Sequence, residues 1–129
     1  MYIKKLLIQN YKRFKLIEID MNPGTNIFVG ENDSGKTTIL EALIMVLSGK
    51  INGAPILSRL NADWFNNEVR SQYISGLESG QHVEPPCIMI EAFIDGLTDA
   101  DLKIKNYRGA NNYYREDAIG VRIVIALNE

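Results

Sequence analysis

The sequence predicts an α/β domain, a mixed sheet with antiparallel strands built around one strand–loop–helix unit. Three observations predict it. Gly30, Glu31, Asn32, Asp33, Ser34, Gly35, Lys36 and Thr37 read GENDSGKT, which fits the phosphate-loop pattern G-x-x-x-x-G-K-[ST] at every fixed position. A short apolar run at 26–29 precedes that loop, and a run of helix formers from Thr38 to Leu47 follows it, with no Gly or Pro before Gly49. Three other segments alternate apolar and polar residues, as half-buried antiparallel strands do.

Residues 3–9 read as the first strand, with Ile3 and then Leu6, Leu7 and Ile8 after two lysines. Asn10, Tyr11, Lys12 and Arg13 form a polar turn. Residues 16–21 alternate cleanly, with Ile17, Ile19 and Met21 on one face and Glu18 and Asp20 on the other. Asn22, Pro23 and Gly24 make the turn into the 26–29 strand. The helix after the loop is apolar nearly all round, which predicts burial on most sides, between the sheet and another layer.

Residues 48–86 are punctuated by Gly49, Gly53 and Pro55. Asn61 or Asp63 is positioned to cap a helix running to about Ile74, with Phe65, Val69 and Tyr73 along one face. Trp64 and Phe65 read as packing residues. Gly76, Ser79, Gly80 and Gln81 mark a loop, and His82 reads as a surface histidine with no partner at metal spacing. Residues 87–95 form a strand with Ile88, Ile90, Ala92 and Ile94 on one face. Asp95 at its end reads as a turn residue rather than as the acidic partner of the phosphate loop, because a glycine follows it. Thr98 and Asp101 have the spacing of a capping box, residues 106–112 form a loop, and a last strand from Gly120 carries Val121, Ile123, Ile125 and Leu127 on one face.

The chain has 129 residues and a net charge of −2, which argues against a protein coated with nucleic acid. Lys4, Lys5, Lys12, Arg13 and Lys15 all precede the first acidic residue, Glu18, so this edge is either a solvated rim or a basic strip near a ligand. The one cysteine, Cys87, has no intramolecular partner and fits a reducing compartment. No apolar stretch approaches a membrane span and the N-terminus lacks a signal-peptide pattern, so a cytoplasmic protein is expected.

The chemistry of the loop follows from its residue types. Gly30 and Gly35 admit backbone angles that let successive N–H groups turn inward as an anion nest, with Glu31, Asn32, Asp33 and Ser34 between them. The helix beginning near Lys36 adds its positive N-terminal dipole. Lys36 would set a point charge on the β- and γ-phosphates, and the Thr37 hydroxyl, with Thr38 beside it, would hold Mg²⁺.

The first fifty residues, a leading strand ending in Asn10, Tyr11, Lys12 and Arg13, then a second strand and GENDSGKTTILEAL, resemble the N-terminal lobe of ABC-type ATPase heads of SMC-like DNA-repair proteins. Within that group they are most similar to the OLD family of ATP-dependent nucleases, and residues 85–101 resemble that family's long antiparallel strand and following helix. The resemblance implies ATP and Mg²⁺ as cofactors, a homodimer of heads that sandwiches ATP, and DNA as a partner in the complete protein. Roles in DNA repair or antiviral defence go with it. Relatives carry Asn-Phe-Arg after the first strand, and the basic residue reaches the nucleotide. Here Lys12 stands at that place, with Arg13 next to it as the alternative contact. The glutamine loop, the signature motif, the Asp-Glu motif, the switch histidine and the Toprim nuclease domain of such proteins are not found in the sequence. The chain is therefore expected to be the ATP-binding lobe of an incomplete domain, weakly active alone. Two other readings use the same loop: a small phosphotransferase, and a non-catalytic module that dimerises with nucleotide.

Overall fold

Leu6, Leu7 and Ile8 stand in a row because their strand is covered on both faces, and all three are fully buried. That strand is β1 (Tyr2–Tyr11), in a computed structural model that describes residues 2–24, 35–51, 53–96, 108–109, 113–114 and 118–126. It is flanked by β2 (Phe14–Asp20) and by β5 (Cys87–Asp95), both antiparallel to it. β7 (Ala118–Ala126) pairs antiparallel with β5, and the two-residue β6 (Arg108–Gly109) pairs with the start of β7. The order is β2-β1-β5-β7-β6, and every pairing among the described residues is antiparallel. The predicted 26–29 strand lies outside the described residues, as does the 98–101 capping box.

Register places Leu6 opposite Ala92, Ile8 opposite Ile90 and Ile123, in turn, opposite Ile90. These residues share one face with Ile88 and Ile125, and helix α1 (Lys36–Ser48) lies on that face through Ile39, Ala42, Met45 and Val46. Ile17, Ile19 and Met21 of the β2 segment pack against the same core, as their alternation predicts. The opposite face is also closed over β5, where Met89, Glu91 and Phe93 are buried.

The expected burial of α1 on most sides is corrected. One stripe is buried, while Leu40, Ile44 and Leu47 are 46, 55 and 58 % exposed. A 3.6-residue repeat turns these three away from the sheet, so the sheet alone cannot cover an all-round apolar helix.

Further expectations change. β1 runs on through Asn10 and Tyr11, so the turn narrows to Lys12 and Arg13. Residues 50–55 form a small hairpin, β3 (Lys50–Ile51) and β4 (Ala54–Pro55), which leads into the 3-10 turn Ile56–Ser58. The helix expected from Asn61 starts later. Asn61 caps only the 3-10 turn Ala62–Trp64, and α2 (Asn67–Glu78) begins after Asn66, whose side chain accepts from the Val69 N–H. Phe65 stays extended between them because it bridges Tyr11, and both it and Trp64 are buried as packing residues. Gly76 belongs to α2 rather than to a loop. A Cβ there would lie 2.6 Å from Val83 Cγ1, so the glycine allows the chain after α2 to fold back on the helix. Gly109 sits in β6 rather than in a loop.

Candidate nucleotide site

The phosphate-loop segment enters the described residues at Gly35. Gly30, Glu31, Asn32, Asp33 and Ser34 lie outside them. Gly35 has φ of 91°, a left-handed backbone that a side chain strains, and it is the residue from which α1 departs. The first hydrogen bond of the helix runs from the Ile39 N–H to the Gly35 carbonyl, 3.0 Å. The N–H groups of Lys36, Thr37 and Thr38 therefore precede the helical ladder. No acidic residue lies in the first turn of the helix, so none within α1 itself offsets its positive end. Gly35 is buried, Lys36 and Thr38 are half-buried, and Thr37 is exposed.

The turn between β1 and β2 lies directly against this glycine. A Cβ on Gly35 would meet Phe14 Cζ at 2.6 Å and Arg13 Cδ at 2.8 Å. Arg13, itself exposed, thus projects beside the last loop residue, while Phe14 packs on the core. Lys12 goes elsewhere. Its Nζ donates to both carboxylate oxygens of Glu41 on α1, 3.0 Å each, and lies 5.4 Å from the centre of the Tyr11 ring. The two side chains of this pair are 32 and 22 % exposed, so solvent screens it less than a surface pair.

Lys12 is also fixed by its backbone. Its φ of 49° and that of Asn10, 60°, are left-handed values for residues with a Cβ. The segment before α2 holds them: Lys12 N–H donates to the Trp64 carbonyl (2.6 Å), Asn66 N–H to the Asn10 carbonyl (3.0 Å), and Asn66 Nδ2 to the Lys12 carbonyl (3.0 Å). Asn10 Nδ2 reaches across to the Cys87 carbonyl at 2.9 Å. Under this cluster Tyr11 is wholly buried, edge-on to Trp64, and among the described residues its hydroxyl has no hydrogen-bond partner. Burial, and then the negative charge of Glu41, push the Tyr11 phenol above its ordinary range.

The sequence left Glu41 unmarked. The signal was there, since Lys36 and Glu41 are the only charged residues in the thirteen of α1. Three of the five residues of the N-terminal basic cluster form separate ion pairs. Lys5 pairs with Asp20 at 3.5 Å, Lys12 with Glu41, and Lys15 with Glu68 at 3.3 Å. Asp95 is exposed and accepts from the Gly96 N–H at 2.7 Å, the turn role expected of it. His82 is exposed. On the far side of the sheet a second unmarked carboxylate, Glu91, is buried between Arg122 Nε (2.6 Å) and the Tyr113 N–H (3.0 Å), which ties β5 to β7 and to residue 113. Among the described residues no three His, Cys, Asp or Glu gather around a possible metal position, and no helix is long and apolar enough to cross a membrane.

A family model described as AAA ATPase domain matches residues 1–112. The DNA replication and repair protein RecF of Lactobacillus acidophilus is 44 % identical over 43 residues, 33 % of this chain and 12 % of that protein. RecF of Listeria welshimeri is 34 % identical over 50 residues, 39 % of this chain and 14 % of that protein. RecF of Clostridium botulinum is 40 % identical over 43 residues. The match thus spans about an eighth of the length of these relatives. No solved structure matches the chain.

Proposed function

The chain belongs to the AAA ATPase domain family, and from that premise we propose that it is the N-terminal, ATP·Mg²⁺-binding lobe of an ABC-type ATPase that works on DNA. The observation that carries the reading is the start of α1. A left-handed glycine, a helix N-terminus with no acidic residue in its first turn, an amine and two hydroxyls follow one another in Gly35, Lys36, Thr37 and Thr38. That donor set suits a polyphosphate and its cation. Lys36 is the residue for the β- and γ-phosphates and, in the complete enzyme, for charge developing during hydrolysis. Thr37 is the Mg²⁺ ligand, with Thr38 beside it, and Gly30, Glu31, Asn32, Asp33 and Ser34 complete the backbone cradle. Bound Mg²⁺ would supply charge neutralisation between phosphate oxygens.

Arg13, set against Gly35, is the basic side chain we assign to the nucleotide from the β1–β2 turn. Lys12, the other candidate, is engaged with Glu41. The RecF relatives, named for DNA replication and repair, support DNA as the partner of the complete protein. Within the same reading, pairing of two heads about ATP, a cytoplasmic location and an OLD-like nuclease activity are the finer proposals. The last of these rests on the Asn10–Arg13 and GENDSGKTTILEAL patterns.

The test is calorimetry of ATP·Mg²⁺ with this chain and with Lys36→Ala. Micromolar to submillimolar binding is expected, lost in the variant by at least about a hundredfold, because a phosphate-contacting charge-assisted hydrogen bond disappears. Equal binding by both folded proteins would overturn the site. Cleavage of DNA by the complete protein, with and without ATP, tests the nuclease reading.

A further inference from the structure

Lys12 holds the position at which a basic residue is expected to meet nucleotide, yet its side chain and both of its backbone polar groups are already engaged. Nζ is bidentate to Glu41, the N–H is spent on Trp64, the carbonyl takes Asn66 Nδ2, and φ is fixed at 49°. The next two residues, Arg13 and Phe14, lie on Gly35. The β1–β2 turn is therefore fastened to α1 at two points. One is Gly35, where the helix begins. The other is Glu41, six residues on and so about 9 Å further along the axis. Trp64 and Asn66 hold the backbone of the turn, and the Glu41 contact ties it to the helix at a second point beyond Gly35.

We infer that Lys12 and Glu41 form a positioning clamp, which sets the β1–β2 turn so that Arg13 meets the nucleotide, and that Lys12 makes no contact with the nucleotide itself. The inference rests on the nucleotide reading given above. Its chemistry is that of a half-buried ion pair used for geometry. The pair contributes little net stability, since two charges lose solvent to gain each other. It fixes a register between two elements that share no hydrogen-bonded ladder. Lys12 and Glu41 thus act through Arg13.

A double-mutant cycle on ATP·Mg²⁺ affinity separates this from direct contact. Lys12→Met keeps the stem and removes the charge, and is expected to weaken binding about three- to tenfold, the scale of a lost positioning pair. In an Arg13→Ala background the same change should have no further effect. The exchanged pair, Lys12→Glu with Glu41→Lys, should recover most of the affinity that either single change loses. Unfolding midpoints, measured alongside, should move little with Lys12→Met. Additive effects of Lys12→Met and Arg13→Ala, or no recovery in the exchanged pair, would show that Lys12 meets the nucleotide directly. An Arg13→Ala protein with unchanged affinity would also overturn the clamp, because Lys12 would have nothing to act through. Equal binding by wild type and Lys36→Ala would instead remove the nucleotide site itself, a different failure with its own signature.

Discussion

The two long helices begin in opposite ways. α2 starts as a structural helix does: the Asn66 side chain accepts from the Val69 N–H and Glu68 lies in the first turn, so both the orphan N–H groups and the dipole find partners within the protein. α1 starts from a glycine with no side chain to cap it and no acidic residue in its first turn. Their other ends are alike, each closed at or near a left-handed glycine, Gly49 after α1 and Gly80 after α2. The difference is therefore confined to the N-termini. A helix that has only to be stable neutralises its own first turn. A helix that receives a phosphate leaves that turn to its ligand.

The sharpest way to break the contrast is at the glycines. Gly35→Ala puts a Cβ where φ is 91° and where Phe14 Cζ and Arg13 Cδ lie at 2.6 and 2.8 Å. We expect a loss of about 2–3 kcal/mol in urea unfolding, from backbone strain plus overpacking, together with loss of ATP·Mg²⁺ binding. Gly80→Ala is the control. Its φ of 72° carries similar strain, but nothing lies within 4 Å of its Cβ, so about 1 kcal/mol is expected and binding is unchanged. Equal losses at the two sites would mean that the β1–β2 turn does not press on the start of α1.

Asn66 comes next, because it serves both helices. Its Oδ1 caps α2, and its Nδ2 holds the Lys12 carbonyl beneath α1. Asn66→Ala loses both and should cost about 1–2 kcal/mol in thermal or denaturant unfolding. Asn66→Asp keeps the cap acceptor and loses only the donor. A smaller loss than for Ala, with nucleotide affinity weakened as in Lys12→Met, would separate its two duties. Identical losses in stability and affinity for Ala and Asp would show that the cap contributes nothing.

How much of this was legible in the sequence depends on the range of the signal. The alternation in β2, β5 and β7 and the helix after the loop are local patterns, and each of these elements was found, whereas GENDSGKT falls within the described residues only from Gly35 on. Asn66 was missed because Asn61, five residues earlier, is an equally good cap by type. Only the bridge between Phe65 and Tyr11 decides that the chain stays extended through Phe65. The roles of Lys12 and Arg13 were open for the same reason. Neighbouring basic residues after a strand differ only in where the backbone turns, and that turn is held by Trp64 and Asn66 from more than fifty positions away. Burial of Glu91 depends on a partner at 122 and on residue 113, which no local window contains.

Tyr11 lies edge-on to Trp64, which precedes α2, and in the field of Glu41 on α1, and it gives the smallest effect and the cleanest sign. Its hydroxyl is buried without a hydrogen-bond partner among the described residues, so it contributes a desolvation cost and no bond. Tyr11→Phe should therefore be neutral or stabilising by up to about 1 kcal/mol at pH 7, where most core substitutions destabilise. The pH dependence sharpens this. Burial and Glu41 raise the phenol in the native state above its ordinary value of 10.0, so above pH 10 the unfolded chain has released a proton that the native chain still holds. The unfolded state then binds fewer protons, and stability falls as pH rises. Unfolding free energies measured from pH 9 to 11 should decline for wild type and decline less for Tyr11→Phe. The slope that remains belongs in part to Tyr114, which burial and then the nearby negative charge of Glu18 push in the same direction. An unchanged slope in Tyr11→Phe would mean that the Tyr11 hydroxyl reaches water, and the core around Tyr11 and Trp64 would then be wet rather than packed.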